Sequence, residues 1–115
     1  MTEAVRHGHL YLADLNPRQG TEAGKLRPVL VIQNDLLNET GHSSTWILPC
    51  TTRLRGESLL RVILPQGIAG NRVDCEVMID QSRAIDNQRL GKNLGPLPTI
   101  LLREVKEKLR LLADL

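Results

Sequence analysis

Residues Pro28 to Gln33 read PVLVIQ, a nearly continuous run of β-branched and leucine side chains. A run so short and so apolar suits a buried strand, whereas a buried helix would need roughly ten or more such residues. Similar runs recur along the chain. Leu10 to Leu15 is apolar apart from Asp14, Thr45 to Leu48 leads into Pro49, Cys50, Thr51 and Thr52, and Leu59 to Leu64 and Glu76 to Ile79 follow. Turn-forming segments separate them: Asn16, Pro17 and Gly20, the polar stretch Asn34 to Ser44, and the loop Pro65 to Asp74 with its two glycines. Beyond Gly95 the pattern changes. Pro96 and Pro98 interrupt any strand, and Thr99 is placed to cap a helix running to about Ala113. Leu101, Val105, Leu109 and Leu112 then form one apolar stripe at helical spacing, with Arg103–Glu107 and Glu104–Lys108 as opposite-charge pairs on the outer face. Short strands with Gly and Pro turns, closed by one helix, predict a compact antiparallel barrel with the helix packed on the sheet.

A chain of 115 residues has room for one domain, taken as residues 1–115. Its 41% hydrophobic and 24% charged content places it among globular proteins and away from disordered ones. No stretch approaches the roughly 18 apolar residues of a membrane span, and MTEAVRHGHLY lacks the apolar core of a signal peptide. The expectation is a cytoplasmic protein with no membrane partner. Cys50 and Cys75 stand at no metal-ligand spacing and read as small apolar fillers in a reducing compartment, with no metal or cofactor implied. A net charge of +2 favours an anionic partner only mildly. Tyr11 and Trp46 are the only aromatic residues. Non-specific single-strand binders stack bases on aromatic faces, so an RNA ligand here would be read by hydrogen bonds and charge. Trp46 is then expected in the core or in a dimer interface.

Two basic residues, Lys25 and Arg27, follow Gly20, Glu22 and Gly24 immediately before the PVLVIQ run. Such a loop can be an anion-binding rim, with the cations on a phosphate and glycines admitting backbone N–H groups, or a solvated hairpin. Gln33 and Gln81 carry amides that could read a base edge or close hydrogen bonds within the sheet. His7, His9 and His42 are too scattered to suggest a paired-histidine nuclease, with His9, near the first strand, the likeliest exception. Strand alternation puts Thr51 and Thr52 on opposite faces, so one of them is expected to face any shared site.

Three separated motifs resemble the MazF/PemK/Kid toxins of bacterial toxin–antitoxin systems. They are Gly8 to Leu15 continuing through Asn16, Pro17, Gly20, Glu22 and Lys25 to Asp35; Pro49-Cys50-Thr51-Thr52; and Asp80 to Leu90, DQSRAIDNQRL. The resemblance implies an SH3-like antiparallel barrel with a C-terminal helix, a homodimer, and a metal-independent endoribonuclease. The substrate would be single-stranded RNA, mostly mRNA, cut to 2′,3′-cyclic phosphate and 5′-hydroxyl ends, and the partner a cognate MazE-like antitoxin. Carried over by motif, Arg27 and Thr51 become the catalytic pair, and Glu22 and Asp80 the carboxylates to test as general base. Lys25, Gln33, Gln81, Arg83 and Arg89 become candidate RNA contacts, while Asp80 could instead pair with Arg83 or Arg89. Two positions depart from the family pattern: His9 stands where an acidic residue is usual, and Met78 where some members have arginine. Two other functions stay open at this point, a non-enzymatic toxin that binds DNA gyrase and a catalytically inactive nucleic-acid-binding regulator.

Overall fold

In the computed structural model, residues 3–16, 20–21, 25–56, 59–68 and 70–115 are described. The chain runs β1 (His9–Asp14), β2 (Leu26–Val31), α1 (Asp35–Glu39), β3 (Ser44–Thr51), β4 (Arg61–Leu64), β5 (Cys75–Met78), β6 (Arg83–Asp86), β7 (Leu90–Pro96) and α2 (Thr99–Ala113), with 3-10 turns at Ile79–Gln81 and Asn87–Arg89. The pairings are antiparallel and follow the path β4-β5-β3-β2-β1-β7. The second edge of β3 is divided. Its first half, Ser44 to Ile47, pairs with β6, and Cys50 and Thr51 pair with β5. The 3-10 turn Ile79–Gln81 bends the chain between the two.

Burial explains the apolar run from Pro28 to Gln33. Val29 and Val31 join Tyr11, Ala13, Leu15, Ile47 and Ile85 in one cluster, while Leu30 and Ile32 join Leu10, Leu48, Val62, Val77 and Val105 in another. Alternate residues of β2 therefore serve opposite faces, and a strand covered on both faces has no polar positions to show.

The expected mainly-β architecture with a C-terminal helix is present, but the sheet does not close into a barrel. Its path ends at β4 and β7, which are not hydrogen-bonded to each other. Instead α2 packs on β4 and on the Ile79–Gln81 turn, and Lys108 Nζ donates to the Arg61 carbonyl of β4 at 2.8 Å.

Three further expectations need correction. Thr99 is the first helical residue rather than the cap. The carbonyl of Pro98 accepts the N–H groups of Leu101 and Leu102, both at 3.0 Å, with no side-chain cap. Val105, Leu101 and Leu109 pack on the core, but Leu112 is 48% exposed and Leu102 packs in its stead. Of the two places expected for Trp46, the core is ruled out, since it is 41% exposed on β3 between buried Thr45 and Ile47. The elements α1, β6 and β7 were not foreseen.

Gly8 shows why a glycine precedes β1. Its φ of +80° lies in the left-handed region, and a Cβ there would stand 3.0 Å from Leu102 Cδ2 on α2.

Candidate active site

β2 begins at Leu26, so Arg27 sits at the frayed end of the strand where a side chain can reach beyond the sheet. On one side Arg27 is level with Ala13 of β1. On the other, the register Val29 to Pro49, continued by two residues, brings Arg27 level with Thr51. The Arg27 guanidinium donates from Nη1 to the Cys50 carbonyl at 3.0 Å, which anchors its plane against the strand that carries Thr51.

Thr51 is the last residue of β3 and is half-buried. Its Oγ1 accepts the Arg53 N–H at 3.1 Å, so the hydroxyl proton is turned away from the following loop. Because β3 ends here, strand alternation does not continue, and both Thr51 and Thr52 face one cavity. Lys25 closes the base of the β1–β2 connection. Its N–H donates to Asn16 Oδ1 at 2.6 Å and its carbonyl accepts the Leu15 N–H at 2.9 Å. Lys25 also holds φ +58°, a left-handed conformation that a non-glycine residue adopts at a cost.

These side chains bound a cavity of about 260 Å³. One wall is Lys25, Arg27, Pro28, Cys50, Thr51 and Thr52; the other is Asn71, Arg72 and Val73 from the β4–β5 loop and Cys75, which opens β5. Its lining holds three cationic side chains, Lys25, Arg27 and Arg72, and no carboxylate among the described residues. A small concave site with that charge balance favours an anion such as a phosphodiester. Under it lie Cys50 and Cys75, both buried free thiols. Their shared hydrogen bond, and then burial, push the Cys50 thiol well above the usual range, so Cys50 stays protonated.

The remaining candidates lie elsewhere or are engaged within the protein. Glu22 falls outside the described residues. Asp80 and Gln81 occupy the 3-10 turn that packs on α2, and Arg83 opens β6 opposite Ile47. Four residues along β3 separate that level from Thr51, roughly 13 Å at strand rise. None of the three lines the cavity. Gln33 is buried and donates to Asn38 Oδ1 at 2.9 Å and to the Ser44 carbonyl at 3.1 Å, while its own oxygen accepts the Trp46 N–H at 3.2 Å. Arg89 Nη1 donates to the carbonyls of Asp14 at 3.2 Å and Asn16 at 2.7 Å, clasping the end of β1. His9 Nδ1 lies 3.2 Å from Asn93 Oδ1 and takes no part in the cavity. Sequence reasoning missed the second wall, Asn71 to Val73. Its one signal was Arg72 in a Gly-containing loop, and nothing local says that this loop returns beside Thr51.

The model of the PemK-like, MazF-like toxin of type II toxin-antitoxin systems matches residues 6–113. The chain belongs to this family. Among relatives of this PemK/MazF toxin, endoribonuclease EndoA of Bacillus subtilis is 36% identical over 93% of this chain and 92% of its own length. Endoribonuclease MazF9 of Mycobacterium tuberculosis is 31% identical over 96% and 98%. MazF of Deinococcus radiodurans superposes with a TM-score of 0.84 at 29% identity, covering 97% of this chain and 98% of the other. A MazE–MazF structure from the same organism gives 0.78 at 28% identity, covering 97% of each chain.

Proposed function

We propose that this PemK/MazF toxin is a metal-independent endoribonuclease that cuts single-stranded RNA, chiefly mRNA, with Arg27 and Thr51 at the reacting phosphate. The observation that supports this most is their convergence on one cation-lined cavity from two neighbouring strands. In the reaction the ribose 2′-oxygen attacks the adjacent phosphorus and loses its proton. The bond from phosphorus to the 5′-oxygen breaks, and that oxygen takes up a proton. The products are a 2′,3′-cyclic phosphate and a 5′-hydroxyl. Negative charge gathers on the non-bridging oxygens as the pentacovalent arrangement forms. On this reading the Arg27 fork and the Thr51 hydroxyl donate to them, and Lys25 and Arg72, which line the same cavity, hold the flanking backbone. Removing one preorganised donor of this kind costs on the order of 3 to 4 kcal/mol of barrier.

Glu22 is the carboxylate to test as general base on this reading, since it stands three residues before Lys25 in the sequence. Arg89, Arg83, Gln81 and Asp80 would contribute only where RNA extends beyond the cavity, and the buried Gln33 would act on RNA only through the fold. The protein would act as a cytoplasmic homodimer, restrained by a MazE-like antitoxin that lays an extended, acidic segment across the cationic cavity. Family membership and the MazE–MazF likeness support that partner.

The test is to incubate the purified chain with a long single-stranded RNA in EDTA and map new 5′ ends, then repeat with a 2′-deoxy nucleotide at one mapped site. Discrete cuts that vanish at the deoxy position are expected. Intact RNA across many sequences, or a cut that persists at the deoxy position, would contradict the proposal.

A further inference from the structure

Glu76 on β5 is wholly buried and does not line the cavity. Its carboxylate is fully engaged. Oε1 accepts from Arg61 Nη1 at 3.1 Å and from the Arg55 N–H at 3.0 Å, and Oε2 accepts from the Gly56 N–H at 3.2 Å. Arg61, itself only 7% exposed on β4, also points Nη1 at the Arg53 carbonyl from 3.5 Å. One ion pair from β4 and β5 thus grips residues 53–56, the segment that leaves Thr51. The first N–H of that segment, from Arg53, is the one that Thr51 Oγ1 accepts.

Buried ion pairs add little stability over apolar side chains of similar volume, so stability alone does not account for a charged pair at this place. Orientation does. A threonine hydroxyl has one proton and can rotate; with an acceptor lone pair committed to Arg53, its proton is directed elsewhere.

We propose that Glu76 and Arg61 are positioning residues for RNA cleavage: by fixing residues 53–56 they keep the Arg53 N–H on Thr51 Oγ1 and so aim the Thr51 O–H at the reacting phosphate. This rests on the assignment of Thr51 to the active site. The consequence is specific to the chemical step. RNA binding by Lys25, Arg27 and Arg72 does not depend on the tether, so kcat falls while KM holds.

The test uses the full chain and an RNA whose cut site is mapped with the wild type. Glu76→Gln alone strands the Arg61 charge and can fail to fold. The paired change Arg61→Met with Glu76→Gln removes both charges together, and Arg55→Pro removes one tether while leaving the ion pair in place. Thermal unfolding confirms that each variant is folded. Expected for both variants is a kcat lower by about tenfold or more with KM within about twofold, and almost no further loss in a Thr51→Ala background, because the tether acts through that hydroxyl. Wild-type kcat in both variants, or the same fold loss with and without Thr51, would overturn the positioning role while leaving the site intact. Cleavage by Thr51→Ala at the wild-type rate would instead overturn the site assignment, and the positioning role with it.

Discussion

Arg27 Nη1 donates to the carbonyl of Cys50, the residue immediately before Thr51, across 3.0 Å. The two side chains assigned to the phosphate are thereby fixed to each other through the backbone of β3 before any RNA arrives, which limits the reorganisation required on binding. Arg27→Lys keeps the charge but loses the planar fork that can hold a carbonyl and a phosphate together. Its cleavage rate is expected to fall about a hundredfold with RNA affinity changed far less, as read by single-turnover kinetics beside a binding titration.

Lys25 combines a left-handed backbone with a place in the cavity wall. Lys25→Gly relieves the backbone and removes the cation. It should raise stability by up to about 1 kcal/mol after the entropy of the added glycine is counted. RNA affinity should weaken, with the log–log salt slope shallower by about 0.7, one phosphate contact on a single strand. Thermal melts and binding at several salt concentrations read both effects.

Gln33 uses its amide wholly inside the protein. Gln33→Ala leaves the Trp46 N–H and Asn38 Oδ1 short of a partner and should cost about 2 to 3 kcal/mol in denaturant unfolding. Cleavage at mapped sites should keep its base preference below the melting temperature.

Asp35 accepts the His7 N–H at 2.8 Å and Asn38 Nδ2 at 3.1 Å. The backbone bond from His7, then the side-chain bond from Asn38, holds the carboxyl below its usual value of 3.8. A carboxyl whose folded pKa is depressed stabilises the fold above its unfolded pKa, and that contribution disappears as pH falls through the folded value. Asp35→Asn should therefore melt lower than wild type near pH 7, with the gap closing as pH falls through the ordinary carboxyl range and below it. Because Asp35 is exposed the gap is small, and differential scanning across that pH range measures it.

The strands visible in the sequence are those with strong apolar runs, β2 above all, and the helix announces itself by its stripe. β6, RAID, and β7, LGKNLGP, carry charges and glycines instead. β7 lies at the end of the sheet path with register shifts along β1, and β6 pairs only with half of β3, so neither needs a continuous apolar pattern. The cavity was half legible for a similar reason. Arg27, Lys25 and Thr51 sit at the ends of recognisable strands. Arg72, the Cys50–Cys75 contact and the Glu76 tether depend on β5 returning beside the last residues of β3, a long-range pairing that no local spacing encodes.

The most direct test of the account is the cleavage rate of one mapped single-stranded RNA in EDTA by the wild type and by Arg27→Ala, with the fold of each confirmed by circular dichroism. Discrete cutting by the wild type and a loss of about a hundredfold or more in the variant, at an unchanged fold, are expected. A folded Arg27→Ala that cuts at the wild-type rate would contradict the account.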